Sequence, residues 1–276
     1  MTVTSREGIA IAQLIYYVPA LPVAIFVAVK HGFSRQGGWV FLILLSLLRI
    51  IGGATGIAEA ISPSTGLFIA TIITSSIGLS PLLLTMLGML ARVNQSIVNG
   101  FFPPRVFRLL VIPTLVALIL AAIGVSDEFS DEASTISTGK NLYHAGIIIF
   151  AVVYLVQAGI TIISFIGIRD MPQGEKRILI AVGCSLPFLL VRIIYTILVA
   201  FDTNSATFNI ISGNALVQGF MSTMEEFVTV GLYLAAGLMA PKIAKGIPQT
   251  QEPGYQSQYT PILQEYLLLM SIIVTG

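Results

Sequence analysis

Long apolar runs separated by short polar connections dominate this sequence. An α-helix rises about 1.5 Å per residue, so about 20 consecutive apolar residues cross the roughly 30 Å hydrocarbon core of a bilayer. A run of this length satisfies its own backbone hydrogen bonds in lipid when it is helical. The sequence therefore predicts an all-α bundle of seven transmembrane helices, formed by residues 9–29, 39–61, 66–90, 107–125, 143–168, 178–201 and 215–240.

The composition points to a lipid bilayer as a partner and excludes several other classes. Of the 276 residues, 55% are hydrophobic and 10% are charged, whereas a soluble domain has about 25% charged residues. The net charge of +1 argues against nucleic-acid binding, which needs a concentrated basic face. The single cysteine, Cys184, excludes an intrachain disulfide. The sequence has no metal-ligand or nucleotide-binding motif, so we predict no metal and no cofactor.

The distribution of Lys and Arg predicts the orientation, because cytoplasmic connections retain basic residues. Only Arg6 and Lys140 fall on the side of the N-terminus. We therefore expect the N-terminus outside or in the lumen and the C-terminus in the cytoplasm. We expect the membrane to be that of the endoplasmic reticulum or another secretory compartment, with the plasma membrane as the alternative. The cytoplasmic side carries His31 and the basic residues Lys30, Arg35, Arg92, Arg105, Arg108, Arg169, Lys176, Arg177, Lys242 and Lys245.

The chain divides into two regions. Residues 1–245 contain all the spans and form the transmembrane domain. Residues 246–276 begin with a Pro- and Gln-rich polar segment typical of a disordered tail. The apolar end of this tail is too short to span a bilayer, so we interpret it as an interfacial helix.

Five charged residues lie within the predicted spans or at their edges: Arg49, Glu59, Arg192, Glu225 and Glu226. Each costs a few kcal/mol in hydrocarbon, so such groups face the bundle interior and pair with one another. Counted from the cytoplasmic ends of their helices, Arg192 lies about 22 Å deep and both residues of the glutamate pair about 25 Å. Arg49 lies about 15 Å deep and Glu59 about 30 Å, near the other mouth.

Helical periodicity assigns these residues to faces. On the last span, Gln218, Ser222 and Glu225 share a polar stripe, while Glu226 points about 100° away. Glu225 is therefore the preferred acid of a polar pocket. Further polar side chains on other spans are candidate ligand-binding residues of the same interior: Gln13, Tyr17, Gln157 and Tyr195.

Together these residues predict a polar cavity that opens to the lumenal side. In it, Arg192 pairs with Glu225 or Glu226, and Arg49 and Glu59 line a neighbouring wall. The alternative is that the charged pairs only hold the helices together, because buried ion pairs and Ser or Thr hydrogen bonds also give packing specificity.

Two runs carry a resemblance to a known family, YYVPALPVAIFVAVKHGFSRQGGWVFLILLSLLRIIGGATGIAE and LPFLLVRIIY. They resemble a family of fungal seven-span membrane proteins that is defined by a domain of unknown function. The resemblance covers all seven spans and ends before the tail. Members occur among fungal genes of secondary metabolism, which implies lipophilic metabolites as ligands.

A more distant likeness is to the small seven-span terpene cyclases of fungal meroterpenoid pathways. These enzymes use two membrane-embedded acids to protonate an epoxide or an alkene, and Glu59 and Glu225 are the matching acids here. This chain departs from that pattern in its second acid, Glu226, and in having a single tryptophan, Trp39. A third likeness, to fungal lipid-translocating exporters, rests on topology and a polar pocket.

Three functions follow as hypotheses. The first is a membrane enzyme or binder of a lipophilic small molecule, with Glu225 or Glu59 as proton donor and Arg49 and Arg192 positioning the acids or an anionic group. The second is a lipid or metabolite transporter, or a resistance factor, in which the same charges change partners. The third is a heptahelical receptor, which the short inner connections and the lack of cysteine pairs make the weakest of the three.

Overall fold

The computed structural model of this protein is helical throughout the part of the chain that it describes. That part comprises residues 4–32, 38–97, 100–130, 132–202, 207–208 and 213–241, and no strand occurs in it. The predicted all-α class is therefore confirmed. The predicted tail, 246–276, lies outside the described residues.

Nine α-helices make up the described residues. A π-helical segment, Gly219–Met224, joins the eighth helix to the ninth, and a 3₁₀ turn, Ile168–Asp170, follows the sixth. The helices are α1 (Ser5–His31), α2 (Gly38–Ile61), α3 (Thr65–Ile77), α4 (Leu79–Ser96), α5 (Pro104–Asp127), α6 (Ala133–Ile166), α7 (Gln173–Phe201), α8 (Ala215–Gln218) and α9 (Glu225–Met239).

In the part of the chain that the structure describes, six helical stretches are long and apolar enough to cross a membrane. They are α1, α2, α5, α6, α7 and the combined stretch Thr65–Ser96, which contains α3 and α4. The chain is thus an integral, multi-pass helical membrane protein. Large apolar side chains point away from the bundle, as contact with lipid requires; they include Ile15, Leu109, Leu155, Ile162 and Ile166.

The core of the bundle is α4. Every residue from 79 to 94 is buried except Gly88, which is half-buried. This helix packs against α2, α5, α6 and α7. A helix that is apolar on all sides is stable only when it is surrounded, and α4 meets this condition.

The third predicted span, 66–90, is not one continuous helix. It is interrupted at Gly78, between α3 and α4. Pro81 lies in the first turn of α4 and has no N–H to donate to the carbonyl of Ile77, so the helical hydrogen-bond pattern stops there. The carbonyl groups in the last turn of α3 are consequently available to other donors.

α6 is longer than predicted, because it begins at Ala133 instead of residue 143. The ten added residues are mostly polar, and the helix continues through them beyond the apolar run. α6 packs closely along α5. A β-carbon at Gly124 would lie 2.6 Å from both the Gly139 carbonyl oxygen and the Tyr143 amide nitrogen, so only glycine permits this approach.

We expect Gly124→Ala to separate α5 from α6 and to lower the free energy of unfolding by about 1–3 kcal/mol, the usual cost of overpacking. The matched control is Gly159→Ala on α6, where an added β-carbon meets nothing within 4 Å. Replacing this helical glycine should leave stability unchanged or raise it by up to about 1 kcal/mol. Thermal unfolding of the detergent-solubilised chain measures both, and equal losses would contradict the packing argument.

Candidate functional site

The carboxylate of Glu226 is the centre of a buried ionic cluster. Its Oε1 accepts hydrogen bonds from the Tyr17 hydroxyl at 2.5 Å and from Nε of Arg49 at 2.5 Å. Its Oε2 accepts from Nη2 of Arg49 at 2.6 Å and pairs with Nη1 of Arg192 at 2.8 Å. Tyr17, Arg49, Arg192 and Glu226 are all buried. One carboxylate thereby connects α9 with α1, α2 and α7.

Arg49 uses all of its nitrogen atoms. Its Nε and Nη2 bind Glu226 side-on, as a bidentate pair. Its Nη1 also donates to the Thr74 carbonyl at 3.2 Å, and its Nη2 to the Ser75 carbonyl at 3.4 Å. Both carbonyls belong to the last turn of α3, where the interruption frees them and the helix dipole favours a cation.

Gly78 makes room for this arrangement. A β-carbon at this position would overlap the guanidinium of Arg49 and would lie 3.2 Å from Nη2 of Arg192. The break in the third span therefore serves two purposes, since it exposes carbonyl acceptors and admits two arginine side chains.

Arg192 is bound through one nitrogen atom. Its Nη1 donates to the carbonyl of Ser222 at 2.8 Å and to the hydroxyl of Ser222 at 3.1 Å, in addition to its ion pair with Glu226. Its Nε is buried and has no hydrogen-bond partner in the described part of the chain. The two arginines thus differ, because Arg49 is fully bonded and Arg192 is not.

A second contact fixes the register of α7 against α9. The hydroxyl groups of Ser185 and Tyr233 are 3.0 Å apart. Ser185 precedes Arg192 by seven residues, and Tyr233 follows Glu226 by seven, so the two contacts lie one heptad apart on antiparallel helices. This register brings Arg192 to Glu226.

Of the two predicted pairings for Arg192, the structure has the one with Glu226. The expectation that Glu225 is the acid on the Ser222 face assumed a regular α-helix. The π-helical segment Gly219–Met224 widens the helix just before this point, and an added residue rotates the following side chains by about 100°. Glu226 therefore turns toward the arginines in place of Glu225.

The two candidate proton donors lie outside the ionic cluster. Glu225 is half-buried, and its Oε2 is buried without a hydrogen-bond partner among the described residues. Glu59 is half-buried ten residues beyond Arg49 on α2, which is about 15 Å along the helix axis. The structure therefore brings Arg49 to Glu226, and Glu59 lies nearer the other end of α2.

The remaining candidate binding residues are dispersed. Gln157 is fully buried, and neither its amide oxygen nor its amide nitrogen has a partner in the described ranges. The ring of Tyr195 contacts Phe208 edge-on, with 6.3 Å between the ring centroids. Gln13 and Gln218 are half-buried. Of the predicted set, Tyr17, Arg49, Arg192, Ser222 and Glu226 come together, and the others do not join their hydrogen-bond network.

A second buried network, which the sequence did not predict, lies at the opposite end of α9. Arg92 binds Glu175 with Nη2–Oε1 at 2.6 Å, and its Nη1 lies 3.1 Å from Nδ1 of His31. His31 in turn contacts the Gly237 carbonyl at 2.8 Å. Arg92, Glu175 and His31 fall in the connections between the predicted spans. The only sequence signal for an ion pair was one acid, Glu175, among basic residues. Its partner could not be identified, because Arg92 is 83 positions away in sequence.

The chemistry of the ionic cluster is that of carboxyl, guanidinium and phenol groups. These groups donate and accept hydrogen bonds, and they pair with charged ligands. Within the described ranges, no three His, Cys, Asp or Glu side chains come close enough to hold a metal ion.

Comparison with known proteins places the chain in a family. The family described as DUF7702, a domain of unknown function, matches residues 3–243. The chain belongs to the DUF7702 family. The match covers nearly the whole chain, and it confirms the predicted membership in an uncharacterised family. No curated protein and no solved structure matches the chain.

For this DUF7702 member, we expect Glu226→Gln to lower the free energy of unfolding by about 3–5 kcal/mol, because it leaves two buried guanidiniums without a countercharge. Glu225→Gln is the matched control, and it should change stability by no more than about 0.5 kcal/mol, because Glu225 forms no ion pair with the described residues. Denaturant unfolding in detergent micelles measures both.

The double variant Glu226→Gln/Arg192→Gln should recover part of the loss, since it removes one of the uncompensated charges. If Glu225→Gln is as damaging as Glu226→Gln, the assignment of Glu226 as the central acid is wrong.

Proposed function

We propose that this protein spans the membrane seven times and handles a lipophilic small molecule in a polar pocket beside Glu225. The contrast between two adjacent acids carries the proposal. Oε1 of Glu226 is bonded to Tyr17 and Arg49, and its Oε2 to Arg49 and Arg192. In contrast, Oε2 of Glu225 is buried without a partner in the described residues. A buried polar atom without a partner costs about 1–3 kcal/mol, so a ligand that bonds to it gains that free energy.

Glu225 is the proposed proton donor of a cyclase-like enzyme. A carboxyl group that is not bound to a cation is able to transfer its proton to an alkene or an epoxide oxygen of the ligand. The cationic ligand then closes a ring and returns a proton to the carboxylate. Glu59, farther along α2, is the second candidate acid. The resemblance to fungal families favours a lipophilic metabolite as the ligand.

Aromatic side chains beside the cluster support chemistry that passes through a cation. Tyr16 and Phe227 stack with 4.2 Å between their ring centroids, and Tyr17 meets Phe227 edge-on at 5.7 Å. Aromatic faces attract cations. The single tryptophan therefore understates the aromatic content of this region.

The seventh span of the proposal is the stretch 215–239, in which α8, the π-helical segment and α9 follow one another without a break. It contains 25 residues, which is about 37 Å of helix and long enough for a crossing. The basic connections support an N-terminus outside or in the lumen and a cytoplasmic C-terminus. The ionic cluster then lies in the outer half of the bundle.

Transport is the second candidate function, and the irregular helices favour it. The break at Gly78 and the π-helical segment both adjoin the Arg49, Arg192 and Glu226 cluster. Transporters form their binding sites from discontinuous helices of this kind. The Arg92–Glu175 pair joins the end of α4 to the start of α7, on the side of the bundle away from the ionic cluster. A closed inner gate would have a contact of this kind.

The proposed orientation predicts where the chain is modified. Glu132→Asn creates an Asn-Ala-Ser acceptor between α5 and α6, and we expect it to be glycosylated in microsomes while a C-terminal tag stays accessible to added protease. Asn94 is the internal control, because Asn94-Gln95-Ser96 is already an acceptor sequence and the proposed orientation puts it on the cytoplasmic side. Its side-chain amide is also bonded to the backbone of Phe102, so it should stay unmodified. A tag that is protected from protease, together with an unmodified acceptor at position 132, would show that the orientation is the opposite one.

For the function itself, we expect Glu225→Gln to lower turnover of the native ligand by at least about a hundredfold, the contribution of a positioned general acid. The measurement compares lipophilic metabolites extracted from cells and medium of strains that carry the wild-type gene, no gene, Glu225→Gln or Glu59→Gln. An accumulated uncyclised precursor supports the enzyme.

An unchanged product that is retained inside the cells supports the transporter instead. Protein abundance in the membrane fraction is the control in each strain. The proposal fails if the deletion strain and the Glu225→Gln strain both yield the wild-type metabolite profile, inside and outside the cells.

A further inference from the structure

The two arginines of the cluster share one carboxylate, and this leaves a surplus of positive charge. Arg49 and Arg192 contribute two positive charges and Glu226 one negative charge, so the bonded cluster carries +1. Arg49, Arg192 and Glu226 are 3%, 3% and 2% exposed, so water does not screen this charge. An unbalanced charge in a membrane bundle costs a few kcal/mol, and an anion in contact with it would remove that cost.

The surplus is localised on one edge of Arg192. A guanidinium binds an anion side-on through Nε and Nη2, which is how Arg49 holds Glu226. The hydrogen bonds of Arg192 to the described residues all come from Nη1. Its Nε is buried without a partner in those ranges, so the edge that binds the anion in Arg49 is not used in Arg192.

The acid that is adjacent in sequence does not supply the countercharge. Glu225 adjoins Glu226 in sequence, yet its Oε2 is itself buried without a hydrogen-bond partner in the described part of the chain. Arg192 bonds the Ser222 carbonyl inside the π-helical segment, and Glu225 is the first residue after that segment.

We propose that the Nε–Nη2 edge of Arg192 binds the anionic head group, a carboxylate or a phosphate, of an amphiphilic ligand whose apolar chain lies between the helices. This inference rests on the proposed function and specifies its ligand class. Both head groups present two oxygens at the spacing that the guanidinium edge matches, and a neutral hydroxyl presents one. The ligand is therefore an acidic amphiphile and not a neutral terpene alcohol.

The test uses three probes with the same apolar chain: oleate, oleyl phosphate and oleyl alcohol. Native mass spectrometry of the full chain, released from a neutral detergent, gives the Kd of each. We expect both anions to bind at least about tenfold more tightly than the alcohol, because a charge-assisted pair contributes that much or more. The tighter of the two anions identifies the head group.

Arg192→Lys keeps the positive charge and removes the Nε–Nη2 edge. The affinities for the anions and for the alcohol should then differ by no more than about threefold. Arg177→Lys makes the same change at an exposed position of α7 and should leave all three affinities unchanged. The wild-type comparison stands by itself if Arg192→Lys does not fold.

Two results would overturn the inference. Equal affinities for the three probes, or a preference that survives in Arg192→Lys, show that Arg192 does not select an anion. If oleyl alcohol then still binds and Glu225→Gln abolishes this binding, the proposed function stands without the anion. If none of the three probes binds, the proposed lipophilic ligand fails together with its head group.

Discussion

The ion pairs of Glu226 with Arg49 and Arg192 hold α2, α7 and α9 at one depth of the bundle, although these helices are far apart in sequence. Each charge alone would cost a few kcal/mol in hydrocarbon, so the three helices are stable in this register only together. The surrounding backbone is adapted to the same contact. α3 ends early and offers its carbonyls to Arg49, Gly78 leaves space for both guanidiniums, and the π-helical segment turns Glu226 inward.

α9 is held at both ends, and this limits how the bundle can move. Near its start it is bound through Glu226, and near its end the Gly237 and Leu238 carbonyls accept hydrogen bonds from Lys30 and His31. Arg92 connects the same end to Glu175 on α7 and to the Pro241 carbonyl. Any motion that separates α9 from α1 or α7 has to break one of these two networks. If one network breaks, α9 would rotate about the other.

Sequence reasoning could find the residues of the cluster because charge inside an apolar run is conspicuous. Depth counting placed Arg192 and the glutamates in one layer, and the structure pairs Arg192 with Glu226. The choice between Glu225 and Glu226 depended on angle, and the π-helical segment has no recognised sequence signal. The interruption at Gly78 and the Arg92–Glu175 pair were missed for related reasons. The first needed the backbone path, and the second joins residues 83 positions apart in sequence.

The two buried networks differ in charge balance, and the difference supports the proposed binding site at the Glu226 cluster. Among the described residues at the far end of α9, one arginine meets one carboxylate, since Glu175 bonds Arg92 through both oxygens. In that pair the positive and negative charges cancel, as helix packing alone requires. The Glu226 cluster is built differently, because it assigns a second guanidinium to a carboxylate that Arg49 already satisfies and leaves Nε of Arg192 unbonded within the described residues. A purely structural contact gains nothing from that surplus of positive charge, whereas the proposed site for an acidic ligand depends on it.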